Sequence, residues 1–377
     1  MMRRAFPSRP AVLALAMAAV LAGCAGGSAR PTPAELPPNV ALVAVRQAWA
    51  VRLPAVSFPL QVHAQGTQVV VAASDGTVVT LDAVSGRELG RASAGAELSA
   101  GVGSDGRITA VVTRANQVVA LEGGRELWRQ RLPTQSYTAP LVAGGRVFVL
   151  GADRSLTALD GRSGARLWKL QRPAEPLVLR QAGVLLPVGN TLVAGMAGRL
   201  IGIDPDDGGV RWEAPVASAR GTNDVERLVD LVGGFSRQGD TVCVRAFQAA
   251  VGCVDASNGN LRWARPANGA TGVHGDDQRL YGAESDGRVL AWRADTGERA
   301  WASERLQWRH LTGPLVLGRS VIVGDSTGLV HMLSREGGSP LNRFSTDGSG
   351  IAATPVAAGN TLVVVTRAGG VFGYVPD

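Results

Sequence analysis

The chain has 377 residues, 45% of them hydrophobic and 18% charged, with a formal net charge of +7. That is enough apolar material for one large core, and it excludes a disordered or fibrous chain. The basic residues are almost all arginine, with Lys169 the only lysine; they are scattered and form no basic run, which reads as solvated loop ends and partner contacts rather than a nucleic-acid footprint.

Met1 to Pro10 carries Arg3, Arg4 and Arg9, and Ala11 to Leu21 is an apolar run too short to anchor the chain across a bilayer. Leu21-Ala22-Gly23-Cys24 follows. Small residues directly before such a cysteine resemble a bacterial lipobox. The resemblance implies that residues 1–23 are a signal peptide and that Cys24 becomes the lipidated first residue of the mature chain. Removing the leader lowers the net charge to +4. Ala25, where an aspartate would retain a lipoprotein at the inner membrane, implies by the same resemblance the periplasmic face of the outer membrane. Several acyl chains, palmitate among them, hold stably where one does not. Residues 24–39, with Gly26, Gly27, Pro31, Pro33, Pro37 and Pro38, predict an extended tether.

Residues 40–377 read as one body. Val40 to Leu53 alternates apolar and polar residues and predicts a lone strand carrying Trp49. Eight units follow. Each opens with a short apolar strand, often after proline (Pro59, Pro140, Pro314, Pro355). A β-branched run comes next, such as Val147-Phe148-Val149 or Leu362-Val363-Val364. The turn after it is tight and Gly-rich: Asp75-Gly76, Asp286-Gly287, Thr327-Gly328 or Gly369-Gly370. It matches a two-residue hairpin. The third strand ends in an Asp…Gly turn, seen most clearly in Ala158-Leu159-Asp160-Gly161-Arg162-Ser163-Gly164-Ala165-Arg166-Leu167-Trp168. There the aspartate bonds its own turn amides and the glycine takes positive φ. The fourth strand carries the tryptophan.

The turn glycines fall at 86, 124, 164, 208, 259, 297 and 338. That spacing suits four-stranded propeller blades of about 40–45 residues. The last unit stops at a third strand, Val371 to Tyr374, and the orphan strand at Trp49 supplies its fourth. Joining them closes an all-β, eight-bladed propeller of antiparallel sheets with no free edge. Trp49, Trp128, Trp168, Trp212, Trp263 and Trp301 then read as wedges between blades; Trp292 and Trp308 lie off this position and receive no role.

Two blade-to-blade connections are long, residues 172–183 and 217–234, and long loops on a rigid scaffold carry function. Val225, Leu228 and Leu231 in the second have helical spacing, which predicts a short helix there. Cys243 and Cys253 are the other cysteines. If strands 242–247 and 250–255 meet at a two-residue turn, the two thiols point to opposite faces, whereas a one-residue shift of register brings them together. The bridge stays open at this level.

Convergent chemistry is missing from the pattern. His63, His274, His310 and His331 fall in different blades without metal-ligand spacing, and there is no Gly-x-Ser-x-Gly elbow, phosphate loop or Cys-x-x-Cys. Asp82, Asp160, Asp204, Asp255 and Asp295 each occupy the same turn of a different blade. No cofactor and no metal are expected.

The repeated Ala-x-Asp-x-x-(Ser/Thr)-Gly-x-x-x-Trp pattern resembles the tryptophan-docking motif of quinoprotein dehydrogenases, whose quinone lies under adjacent cysteines beside metal-binding acids. Cys243 and Cys253 are not adjacent, so that resemblance covers the blades and not the site. The lipobox, tether and eight blades together resemble the BamB family, lipoproteins of the outer-membrane β-barrel assembly machinery. Leu177-x-Leu179-Arg180 is similar to that family's Leu-x-Leu-Arg segment, and Glu226-Arg227-Leu228-x-Asp230 to its Arg-Leu-x-Asp segment; the family's next aspartate falls on Val232. The resemblance implies a non-catalytic scaffold in which Leu177, Leu179, Arg180, Glu226, Arg227 and Asp230 bind the periplasmic domains of BamA. Partner lipoproteins of the machinery and unfolded outer-membrane proteins are further implied partners. The competing readings are a quinone-dependent dehydrogenase and a propeller that binds an envelope ligand in its central channel.

Overall fold

The computed structural model describes residues 31–173, 177–218 and 228–377. Lipidation at Cys24, and Glu226 and Arg227 in the second long loop, lie outside the described residues. The compact body begins at Ala34. It holds eight four-stranded antiparallel sheets, and no helix occurs among the described residues. Seven blades take their strands in chain order: blade 1 at 63–93, blade 2 at 98–131, blade 3 at 141–171, blade 4 at 185–215, blade 5 at 231–266, blade 6 at 273–303 and blade 7 at 315–345. In blade 8 the strands Val356–Ala358, Thr361–Val365 and Gly370–Pro376 are completed by Val45–Arg52. Trp49 lies opposite Gly373 and Arg46 opposite Val375, so the two ends of the body close the ring as the strand count predicts.

The β-branched runs form these strands because both faces of a blade are covered by its neighbours. Between blades 2 and 3, Ala110 and Val112 pack with Val147, Val149 and Leu159, all nearly inaccessible to solvent. Burying each side chain of Val or Leu size contributes about 1.5–3 kcal/mol. The turns supply their own polar partners. At Asp160, the Ser163 hydroxyl and N–H donate to Oδ1 at 2.7 and 2.8 Å, and these bonds hold the carboxyl below its ordinary range. The loop at Asp75-Gly76 is three residues, not two: the Ala73 N–H donates to Thr77 O at 2.8 Å, and the Asp75 carboxylate accepts the Thr77 N–H at 2.9 Å.

Tryptophan docking joins one blade to the next. The residue opposite each indole is small: Gly373, Ala120, Ala158, Gly202, Cys253 and Ala291 face Trp49, Trp128, Trp168, Trp212, Trp263 and Trp301. The indole crosses that residue and lies on the turn glycine of the following blade. Gly164, at φ +72°, is required twice over: its backbone is left-handed, and an added Cβ would stand 2.6 Å from the Trp128 ring. Gly86, Gly208, Gly259, Gly297 and Gly338 meet the other indoles in the same way. Trp128 Nε1 then donates to Gly161 O at 2.8 Å, and Trp49, Trp168, Trp263 and Trp301 reach the carbonyls of Ala83, Pro205, Ala294 and Arg335 at 2.8–3.0 Å. Trp212 packs on Gly259 but makes no such bond.

Cys243 and Cys253 are joined by a disulfide, with Cα atoms 4.0 Å apart. The two-residue turn that would separate the thiols does not form. Ala246 pairs with Ala250 around the three-residue loop Phe247-Gln248-Ala249, with Gln248 left-handed at φ 48°, and this sets Cys243 opposite Cys253. Trp292 acquires a role: it is buried beneath the Arg245 guanidinium, 5.8 Å from its ring centroid. Arg245 in turn donates to Glu284 Oε1 at 2.8 Å, a fully buried ion pair between blades 5 and 6. The helix predicted near Val225 lies mostly outside the described residues, and Leu231 itself opens the strand Leu231–Gln238. Ala34 to Val43, including the last part of the Pro-rich segment, runs along blade 7 and the loop before it. Ala34 N–H donates to Gln307 O at 2.9 Å, Arg309 donates to Ala34 O at 2.9 Å, and Leu36 packs beside Leu306.

Replacing Trp128 with alanine should cost about 3–5 kcal/mol in urea unfolding, because it empties the joint between blades 2 and 3. Trp308→Ala, at a side chain 38% exposed, should change stability by less than about 0.5 kcal/mol. Acid should act through the histidines before the carboxylates. His274 Nδ1 accepts the Val316 N–H at 3.1 Å across the blade 6–7 boundary, and burial lowers its pKa below 6.5 against the opposing pull of Asp276. The unfolded chain therefore takes up the proton first, and stability is lost as pH falls through the ordinary histidine range. His63 and His331 are lowered by burial as well. The melting temperature should drop between pH 7 and about pH 5, and His274→Gln should flatten that slope; an unaltered slope refutes the assignment.

Candidate functional site

The two long connections meet. Of the connection after the outer strand Arg166–Gln171 of blade 3, residues 172–173 and 177–184 are described, and of the connection after Val210–Pro215 of blade 4, residues 216–218 and 228–230 are described, the latter next to the first strand of blade 5. Asp230 binds them together: its Oδ2 accepts the Leu179 N–H at 3.3 Å, and its backbone carbonyl accepts the Phe247 N–H at 2.9 Å. Further in, the Gly233 N–H donates to Ala182 O at 2.5 Å and the Gly183 N–H to Thr138 Oγ1 at 2.9 Å. A backbone that would otherwise drift is thus pinned at both loops.

Of the residues singled out from the sequence, Leu177, Leu179, Arg180 and Asp230 are among those described, and the last three share this surface. Leu177 is an exposed apolar side chain, 39% accessible. Arg180 is exposed and lies over the Tyr137 ring, 5.6 Å from its centroid, a cation–π contact that orients the guanidinium while leaving it available. Val232, in place of the family's second aspartate, is buried in the first strand of blade 5 opposite Arg245. An aspartate there would need a partner inside the sheet, so among the described residues of the two family segments Asp230 is the acidic one.

Two members of the site were not legible as such. Tyr137 supplies the platform for Arg180. Arg154 stands 3.9 Å from Asp230 Oδ1 and donates to Pro173 O at 3.5 Å, joining the hairpin of blade 3 to both loops. A signal for Arg154 was present. The corresponding turns carry Gly76, Gly287, Gly328 and Gly369 at positive φ, and Asn116, a residue that tolerates that conformation, in blade 2, whereas the bulky Arg154 holds φ 60°. A bulky residue in that conformation costs about 1–2 kcal/mol, and such an exception marks a residue kept for what its side chain reaches.

The cleft between the loops has a volume of about 60 Å³. Small-molecule sites run to about 300–1,000 Å³, so this surface suits a protein contact. Gln181 and Ala182 also border the mouth of the central channel, about 770 Å³, which is lined largely by small residues such as Gly233, Gly272, Gly313 and Ala353. Among the described residues no three His, Cys, Asp or Glu side chains gather closely enough to hold a metal ion. Buried His331 belongs to a structural cluster: its Nε2 lies 3.0 Å from Asp325 Oδ2, which also accepts Arg309 Nε at 2.8 Å. Burial pushes the Asp325 carboxyl up, but the bonds from His331, Arg309, Thr327 and Leu329 outweigh it and hold the group far below the usual carboxylate range. The disulfide lies inside the sheet of blade 5 and borders no cavity among those of the site.

Residues 74–303 match the family model described as outer membrane protein assembly factor BamB. The protein of that name from Burkholderia pseudomallei is 36% identical over 362 residues, covering 95% of each chain. The crystal structure of BamB from Moraxella catarrhalis superposes with a TM-score of 0.80 at 23% identity, over 88% of this chain and all of the other. A quinohemoprotein alcohol dehydrogenase from Comamonas testosteroni gives a TM-score of 0.66 at 16% identity, over 88% of this chain and 76% of its own, a likeness of fold alone. Ring, repeat and sequence agree, and the chain belongs to the BamB family of outer membrane protein assembly factors.

Proposed function

We propose that this protein is a non-catalytic scaffold of outer-membrane protein assembly, anchored through lipid at Cys24 on the periplasmic face of the outer membrane. Its partner patch lies on the joined loops and binds the periplasmic domains of BamA through Leu177, Leu179, Arg180, Glu226, Arg227 and Asp230. The observation that carries this reading is the Asp230–Leu179 hydrogen bond. Two segments 51 residues apart in sequence are held as one surface, with the half-buried Leu179 and an oriented arginine on it. Such a pairing is what protein hot spots favour. The turn aspartates are engaged in their own turns, as at Asp160 and Asp255, which supports a structural role over an acid–base one.

Pull-down of the membrane-extracted protein tests the patch. Arg180→Ala and Asp230→Ala should each reduce the BamA recovered by about tenfold, equivalent to about 1.4 kcal/mol, with unfolding unchanged for Arg180→Ala. Full recovery with both variants removes the patch. Amide hydrogen exchange separates their roles: Asp230→Ala should speed exchange at Leu179 several-fold by freeing its N–H, while Arg180→Ala should leave it alone. Equal protection in both variants means that Asp230 does not order the loop.

A further inference from the structure

Two of the eight outer strands lack the docking indole. In the register that sets Trp128 opposite Ala120, blade 1 has Gly90 opposite Thr80 and blade 7 has Asn342 opposite Met332. The blade 7 position is filled by the chain itself. The segment entering blade 8 lies against it: the Leu42 N–H donates to Leu341 O at 2.6 Å, the Asn342 amide to Val43 O at 2.7 Å, and the Asn39 amide to Asn342 Oδ1 at 2.8 Å.

The blade 1 position is open. A Cβ built at Gly90 meets nothing within 4 Å. A groove of about 450 Å³ runs here between blades 1 and 2, floored by Thr80, Thr109 and Leu121. The turn that would cap it is short as well: Glu122 pairs directly with Arg125, leaving only Gly123-Gly124 between them. Gly123 follows Glu122 as Gly161, the acceptor of the Trp128 N–H, follows Asp160. Arg91 and Arg107 border the groove, and no carboxylate lines it. Their own partners, Glu88 and Glu122, form exposed pairs that are easily exchanged.

We propose that this groove is a docking slot for an aromatic side chain, an indole above all, presented by an extended acidic segment of a partner protein. Six sister joints show that the position between two blades accepts an indole lying across the sheet toward the next turn. The blade 7 joint shows that an extended backbone fits where the indole is missing. The two guanidiniums supply the charge preference, since a carboxylate beside the aromatic residue gains a fork-shaped donor. The slot is on the circumference of blades 1 and 2, apart from the loops of blades 3 to 5, and does not depend on the proposed BamA patch.

The test uses the full chain and a blocked, dye-labelled seven-residue peptide with a central tryptophan, valines beside it and aspartates outside, followed by fluorescence anisotropy. The peptide should bind wild type and lose at least about tenfold in affinity when its tryptophan becomes alanine or its aspartates become lysine. Gly90→Trp fills the slot from within; it should abolish binding while raising or preserving the melting temperature. Gly90→Leu, a smaller filling, serves if that variant fails to fold, and should weaken binding at least about fivefold. Thr80→Ala restores the small floor residue of the sister joints and should retain or tighten binding. The proposal is overturned if wild type does not bind the peptide, or if the filled variants bind it as wild type does. It is equally overturned if wild type is a dimer that Gly90→Trp converts to monomer, which would make a second copy the occupant.

Discussion

The structure depends on an indole laid across a small residue of its own blade and against a turn glycine of the next, with its N–H on a neighbouring carbonyl. Trp128 on Gly164 is the pattern; Trp49, Trp168, Trp263 and Trp301 repeat it in full, and Trp212 repeats the packing without the N–H bond. A blade alone has two apolar faces and cannot bury both. The indole reaches from the outer strand, where a sheet would otherwise end in solvent, and makes the rim of one blade part of the core of the next. Stability is thus shared between neighbours, as in other repeat proteins, and the ring needs no central hydrophobic body.

Closure follows from the same logic. The strand Val45–Arg52 brings Trp49 onto Gly86 of blade 1 while pairing with the strand Gly370–Pro376. Both ends of the body are locked by one element. The residues before it, from Ala34, are bound along blade 7 through Arg309 and Asn342. Arg309 is itself held by buried Asp325, so this docking is built into the interior.

A frame this rigid frees its connections. Near the channel mouth, Asp230, Leu179 and Arg154 draw three blades' worth of loop into one surface. Among the described residues the loops are joined by a few polar contacts at the edge of a small cleft, while Val184 and Val229 fix their ends in the core between blades 4 and 5. That is the kind of surface on which side chains can change without unfolding the ring. The exposed Leu177 and the ring-supported Arg180 would be poor choices for a surface with no partner.

The amino-acid sequence by itself determined the repeat, the blade count, the closing strand and the place of the tryptophans. Each follows from local chemistry: β-branched runs, Asp…Gly turns and a large residue at a fixed offset. It also pointed to both long loops as the breaks in that pattern. Tertiary structure decided what depends on register or on residues far apart in the chain. Gln248 in a left-handed conformation lengthens one turn to three residues, and that single residue puts Cys243 opposite Cys253. Arg154 and Tyr137 join the site because separate blades present them to the same loops. Trp292 matters because Arg245, far from it in sequence, is buried above its ring. That Gly90 takes the place of an indole is legible from its offset of four from Gly86, but that the position stays open as a groove between blades 1 and 2, while the same position in blade 7 is covered by the chain, only the tertiary structure decided, because it depends on what distant segments pack there.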